Sequence, residues 1–420
     1  MDKIVIEGGR RLEGEIQISG AKNAALPALC ATLLCPGRFV ISRVPRLRDI
    51  DTTIKLLSGL GVEIGWDGEN VLAVNSENLK NVEAPYDLVR TMRASCLVLG
   101  PLIARMGGAR ISLPGGCAIG ERPINLHLKG FQKLGADISL DHGYVTADAS
   151  DGLKGGRVYF DIVTVTGTAN LMMAATAAAG ETVLENCARE PELLFLAEML
   201  KSMGAEIKGA GTDRITIKGG RKLKPADISI IPDRVETGSF MAAAAITGGH
   251  LVLKDCNPAD VESVTSKLVE TGCKAQCGDN FIEITGPEKL KPVDLETAPF
   301  PGFPTDMQAQ MMAVLAVADG TSVITETVFE NRFMHIAELR RMGANIKHSG
   351  STAIVNGVDR LFGAEVLATD LRASASLIIA GLAARGKTEL RRVYHLDRGY
   401  QRIEEKLERA GANVCRVKDV

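Results

Sequence analysis

Aromatic residues make up only 4% of this 420-residue chain, and basic side chains (49) do not outnumber acidic ones (51). Neither stacking platforms nor a basic stripe is present to hold a nucleic acid. No apolar run approaches bilayer length, and the opening MDKIVIEGG reads as a strand rather than a signal peptide, so the expected compartment is the cytoplasm, away from the membrane. The six histidines form no HxH or HExxH pattern, and the CxxxC of Cys273 and Cys277 has no second pair or histidine close by in sequence. No metal and no cofactor is therefore expected. The nine cysteines are odd in number and mostly sit in apolar runs such as ALCATLLC, which reads as reduced, buried small hydrophobes instead of a disulfide framework. What remains is a chain with 45% apolar and 24% charged residues, too long for one ordinary core. It predicts two soluble domains of roughly 200 residues each.

Self-similarity gives the organisation. The phrase "apolar, polar stretch, Gly, small, polar, apolar" recurs as LSGLGVEI, FQKLGADI, LKSMGAEI, LVETGCKA, LRRMGANI and LERAGANV, with its glycines at Gly61, Gly135, Gly204, Gly272, Gly343 and Gly411. Each reads as a helix ending on a glycine and turning into a strand. Once per unit there is also a helix rich in Ala, Ser, Met and Leu on all faces, such as TANLMMAATAAAGETVL or RASASLIIAGLAARGKTEL, again closed by glycine. All-round apolar character predicts a helix buried inside a domain, three to each domain, with sheets outside them.

The starts of those helices carry the chemistry. Lys22 and Asn23, Arg93, Asp306 and Arg372 stand at or just before four of the six. A cation there opposes the helix dipole, and a bound anion would offset it. Any one of these cations taken alone also reads as a solvated surface residue; it is the recurrence that points to an anion pocket. Arg332 in NRFMHIAEL and Arg398 in LDRGYQRIEEKL sit at similar junctions, and the loop PGGCAIGERP adds Cys117 and Arg122. The set is cationic with one acid, which suits a substrate bearing several negative charges.

SGAKNAALP, PGGCAIGERP, VTGTANLMMAAT, PDRVETGSF, FPTDMQAQ, NRFMHIAEL, DLRASASL and DRGYQ together resemble the UDP-N-acetylglucosamine 1-carboxyvinyltransferase family of enolpyruvyl transferases, along essentially the whole chain. The resemblance implies a mixed α/β (α+β) fold, an inside-out α/β barrel of six βαβαββ units, three per domain, with the active site in the cleft between domains. The first domain would span 22–230, and the second 1–21 with 231–420. The implied reaction moves the enolpyruvyl group of phosphoenolpyruvate onto the 3′-hydroxyl of UDP-N-acetylglucosamine and releases phosphate, a step of peptidoglycan synthesis and so of cell-wall biogenesis, cell shape and division. It needs an acid to protonate C3, a base toward the sugar hydroxyl and cations around a tetrahedral intermediate.

By that resemblance Cys117 is the acid and the target of the epoxide fosfomycin. A thiol with a pKa near ~8.5, lowered by cations, can supply a proton near neutral pH. Asp306 is the base by resemblance; an aspartate at that position also reads as the N-cap of DMQAQMMAVLAV. Lys22, Asn23, Arg122, Arg332, Arg372 and Arg398 would hold phosphoenolpyruvate, Lys22 with a part in catalysis. Asn23, Arg93, Arg122, Pro123, Ile124, Asn125 and Leu126 would line the nucleotide sugar, with Thr164, Val165 and Thr166 near the diphosphate, and Thr305, Asp306 and Val328 near the sugar. Many relatives carry an acid where this chain has Asn125. Two rivals remain. EPSP synthase shares fold and donor but acts on shikimate 3-phosphate, and its motifs are not seen; a non-catalytic repeat scaffold would have no reason to gather arginines and one aspartate at helix starts.

Overall fold

In the computed structural model, the described residues are 2–89, 92–113 and 124–418. Cys117, Arg122 and Pro123 therefore lie outside them. The described chain divides into two compact units, one of residues 2–19 and 232–418 and the other of residues within 20–231.

Each unit contains three four-stranded sheets with one shared plan. An outer strand runs parallel to its neighbour, and the remaining two pairings are antiparallel, as where Ile228–Ser229 lies parallel to Arg38–Ser42, which pairs antiparallel with Leu72–Asn75. That is the pairing a βαβαββ unit makes when its crossover helix packs under the sheet. Segments distant in sequence complete some sheets. The strand Asp2–Glu7 fits between Lys387–Arg391 and Asn413–Lys418, with Ile4 opposite both Leu390 and Arg416. Glu13–Gln17 runs parallel to His250–Lys254. Among the described residues no pairing joins one named sheet to the next, so each unit is three separate sheets around helices rather than one continuous ladder.

The helices inside are the apolar ones. We label them α1 (Lys22–Ala31), α2 (Leu99–Met106), α3 (Val165–Ala175), α4 (Arg234–Thr247), α5 (Gln308–Leu315) and α6 (Leu371–Ala383). All eight residues of α5 are buried, and in α1 only Asn23 is exposed. Small side chains permit this packing: a Cβ on Gly100 of α2 would lie 2.3 Å from the carbonyl oxygen of Asn170 in α3. The sheets show the complementary pattern, buried and solvent-facing residues alternating along Arg38–Ser42 or Thr352–Asn356. Helices are thus inside and sheets outside, as the sequence pattern predicts.

The six recurrent glycines form one turn. Their φ angles lie between +92° and +109°. In every case the glycine N–H bonds to the carbonyl three residues back and the next N–H to the carbonyl five back, as in Gly135 to Gln132 and Ala136 to Phe131, both at 3.0 Å. This is the Schellman closure, and the left-handed angle explains why glycine recurs. Of the eight described cysteines, none is in a disulfide; six are buried, while Cys277 and Cys415 are exposed.

Candidate active site

In the unit of residues 232–418 the sequence-predicted residues Asp306, Arg332 and Arg372 come together. Asp306 lies in the 3₁₀ turn Thr305–Met307 that leads into α5. Its Oδ1 accepts from Arg332 Nη2 at 2.7 Å and its Oδ2 from Arg372 Nη2 at 2.8 Å. It caps nothing: neither that turn nor α5 has a side-chain cap hydrogen bond. The capping role that an aspartate before this helix suggests is therefore not the one it plays: it lies inside the 3₁₀ turn, the N-cap positions fall on Pro304 and Met307, and its oxygens go to two guanidiniums. Burial alone would raise the Asp306 carboxyl, but Arg372 and Arg332 outweigh it and hold it well below the usual carboxylate range.

The supports of this cluster are local and specific. Asp370 caps α6 through Arg372 N at 2.8 Å and Ala373 N at 3.1 Å, which sets Arg372 on the first turn. Tyr400, buried, accepts from Arg372 Nη1 at 3.4 Å and shares a 2.7 Å hydrogen bond with Ser239 of α4. Gln310 Nε2 donates to the Asp306 carbonyl at 2.9 Å. Arg332 Nη1 is buried and has no partner among the described residues, although the side chain is only 4% exposed. A buried guanidinium donor left open is costly, and an anionic oxygen is the strongest partner it can take. His335, one turn after Arg332, is buried; burial, partly offset by Asp370 and reinforced by Arg332, pushes its imidazole down to about 4.

Thr305 and Val328 are linked by a residue that the sequence reading did not single out. Glu326, 3% exposed, accepts from the Thr305 hydroxyl at 2.8 Å and from Val328 N at 2.9 Å. Arg398 ends the 3₁₀ segment Val393–Arg398, two residues before Tyr400, and is half-buried.

The unit of residues 20–231 holds the other group. Lys22, the first residue of α1, is buried and bonds Asp49 Oδ2 at 3.0 Å; Asn23 beside it is exposed. Arg93 opens the 3₁₀ segment Arg93–Val98 that leads into α2. Asn125, exposed, begins the helix Asn125–Lys133, with Ile124 buried before it and Leu126 half-buried after it. Thr164 caps α3 by accepting from Gly167 N at 3.2 Å, Val165 is exposed, and Thr166 Oγ1 lies 3.2 Å from His127 Nε2. That last contact places the segment 124–127 beside 164–166, two stretches almost forty residues apart.

The missed residues differ in how they could have been found. Asp370 precedes a helical run and fits the N-cap preference, and Tyr400 lies in the DRGYQ motif. Ser239 and Gln310 likewise lie in the motifs PDRVETGSF and FPTDMQAQ, whereas Asp49 and Glu326 carry no local signal. Among the described residues no group of three or more His, Cys, Asp or Glu could hold a metal ion, and no helix is long and apolar enough to cross a membrane.

Over residues 6–407 the chain matches the family described as EPSP synthase (3-phosphoshikimate 1-carboxyvinyltransferase). It is 56% identical over 419 residues to the UDP-N-acetylglucosamine 1-carboxyvinyltransferase of Geobacter metallireducens, covering 100% of both chains. It is 55% identical over 417 residues to the protein of that name from Desulfosudis oleivorans, covering 99% of this chain and 100% of that one. The enolpyruvyl transferase NikO from Streptomyces tendae superposes with a TM-score of 0.89 at 25% identity, covering 100% of this chain and 99% of that one. EPSP synthase from Acinetobacter baumannii, at 19% identity and a TM-score of 0.77 over 100% of both chains, shares the fold. With a family match from residue 6 to residue 407 and relatives more than half identical from end to end, this chain belongs to the EPSP synthase family of enolpyruvyl transferases.

Proposed function

We propose that this protein transfers the enolpyruvyl group of phosphoenolpyruvate to the 3′-hydroxyl of UDP-N-acetylglucosamine, with release of inorganic phosphate, in the cytoplasm, as the first committed step of peptidoglycan synthesis. The observation that carries the reading is the end-to-end identity of 54–56% with relatives named for that acceptor. The site supports it chemically. Arg332 and Arg372, with Arg398, Lys22, Asn23 and Arg122, hold the phosphate and carboxylate of the donor. Cys117 supplies the proton to C3 of the enol; C2 becomes electrophilic, the sugar oxygen bonds to it, and Asp306 accepts the hydroxyl proton. Loss of phosphate from C2 and of a proton from C3 then restores the double bond, and atoms and charge balance.

This assignment of Asp306 has a physical condition. With both oxygens held by guanidiniums its carboxylate is a weak base. Anionic donor oxygens compete for the same N–H groups, and as Arg332 and Arg372 turn to them the carboxylate recovers basicity. Donor binding thus activates the base. Arg93, Pro123, Ile124, Asn125, Leu126 and 164–166 take the nucleotide, and Thr305 and Val328 the sugar. The reading requires residues of 22–230 and of 231–420 to act on one substrate pair.

Phosphate release from phosphoenolpyruvate with UDP-N-acetylglucosamine as acceptor tests the proposal; release only with shikimate 3-phosphate would overturn it. Mass spectrometry after incubation with fosfomycin tests the thiol. One adduct, on Cys117, is expected, and an adduct elsewhere removes Cys117 from its role.

A further inference from the structure

The four hydrogen bonds to Glu326 all run inward, and this fixes the polarity of a half-buried residue, Thr305. Oε1 accepts from Thr297 Oγ1 at 2.9 Å, Val328 N at 2.9 Å and Phe329 N at 3.1 Å, and Oε2 accepts from Thr305 Oγ1 at 2.8 Å. Two of these donors are backbone N–H groups, whose direction is not in question. Thr297 is also settled: its oxygen accepts from Thr327 N at 2.9 Å, so its proton goes to Glu326. With Oε1 already receiving three donors, Oε2 is left for Thr305. A carboxylate oxygen has no proton to give, so the Thr305 hydroxyl must donate its own.

A threonine whose proton is committed offers only lone pairs to anything else. Thr305 is half-buried and stands next to Asp306. We propose that Glu326 is a positioning residue for acceptor specificity: by taking the Thr305 proton it makes Thr305 Oγ an obligate acceptor, which selects a sugar group that donates an N–H or O–H there. The inference rests on the reading of Thr305 as a sugar contact. Glu326 touches no reacting atom; it acts through Thr305 and through the turn that carries Val328 and Phe329, whose ring lies 5.2 Å from the Arg332 guanidinium.

Glu326→Gln separates polarity from packing. The amide oxygen must take the Oε1 place, since the amide NH₂ there would face three donors. The NH₂ then points at Thr305 Oγ and donates to it, so the threonine proton is turned outward. The variant keeps the turn and inverts the hydroxyl. In steady-state assays the expected result is a KM for UDP-N-acetylglucosamine raised about tenfold, with the KM for phosphoenolpyruvate within about twofold and the unfolding temperature nearly unchanged. Thr305→Val should give a similar rise, and the double variant no further rise than either single one. An unchanged acceptor KM in Thr305→Val overturns the inference whatever Glu326→Gln does. So does a parallel rise of both KM values, or additive effects in the double variant. The wild-type enzyme in the same assay tests the function separately: if it turns over another acceptor instead, that reading fails, while the ratio between variants for that acceptor still reads the role of Glu326.

Discussion

The two units share a scaffold and differ in how their helix starts are charged. In residues 20–231, Lys22 at the start of α1 meets Asp49 at 3.0 Å, and both side chains are about 90% or more buried. In residues 232–418, Asp306 is divided between Arg332 and Arg372, one carboxylate to two cations. Asp306, Arg332 and Arg372 together sum to a single positive charge. Lys22 has the Asp49 carboxylate close by, whereas the Asp306 carboxylate is shared between two guanidiniums, and Arg332 Nη1 has no partner among the described residues.

The largest expected effect breaks the shared carboxylate. Asp306→Asn should lower kcat by roughly 10²- to 10⁴-fold, the range for loss of a general base. It also leaves two buried guanidiniums facing no anion, so the unfolding midpoint should drop in phosphate-free buffer and recover when inorganic phosphate is added. A variant that keeps its turnover would sink the base assignment; one whose midpoint ignores phosphate would sink the exchange argument.

Breaking the other pair should weigh on stability more than on rate. Asp49→Asn removes one partner of a buried ion pair and should cost about 3 kcal/mol, read by urea unfolding. Because Lys22 stays in place, kcat/KM for phosphoenolpyruvate should fall only about tenfold. A loss of turnover as deep as that of Asp306→Asn would mean that the two clusters do the same work.

The repeats, the buried helices and the glycine turns were legible because they depend on local chemistry that recurs six times: a left-handed turn needs glycine, and an all-apolar helix needs burial. Arg332, Asp306 and Arg372 were legible as candidates from their places at helix starts, and their roles by resemblance, but not as a triad, since their contacts span 26 and 66 residues. Asp306 shows the limit most clearly. An aspartate just before an apolar helical run reads locally as an N-cap, yet the chain places it inside the 3₁₀ turn Thr305–Met307, with its carboxylate on two guanidiniums from elsewhere in the fold. Glu326 was invisible for the complementary reason, a glutamate among threonines and valines whose four donors assemble only in three dimensions. The Cys117 loop, read in most detail from sequence, falls outside the described residues.

A smaller effect concerns pH. The His335 imidazole titrates at about 4 in the folded protein, against ~6.5 when unfolded, so the unfolded chain binds the extra proton between those values. Its contribution is whole above pH 6.5 and is lost as pH falls toward 4, by at most about 1.4 kcal/mol per pH unit. Asp306 has the same sign at lower pH: its stabilisation is present above the ordinary carboxylate range and lost as pH falls through its depressed value. Urea unfolding from pH 7 to 4.5 should therefore show a decline that His335→Gln flattens and Asp306→Asn does not.

The smallest effect asks whether the scaffold is as uniform as its hydrogen bonds suggest. Gly135 in one unit and Gly272 in the other have φ of +92° and +102°, and an added Cβ meets nothing within 4 Å at the first and only Pro287 carbons at 3.6 Å at the second. With space equal, the cost of alanine is the left-handed backbone alone, about 1 to 2 kcal/mol at each. Gly61, at φ +103°, differs in one respect: its Cβ would lie 2.6 Å from the carbonyl oxygen of Asn78, a backbone atom that moves only with its turn. Gly61→Ala should therefore cost clearly more than the other two. Gly59, two residues earlier at the exposed end of the helix Arg48–Gly59, has no positive φ and no neighbour within 4 Å, so alanine there should stabilise by up to about 1 kcal/mol. Thermal unfolding of the four variants orders them. Equal costs at Gly135 and Gly272 with opposite signs at Gly59 and Gly61 fit one turn chemistry in both units, while unequal costs at the first two would mean that the units hold the same turn by different forces.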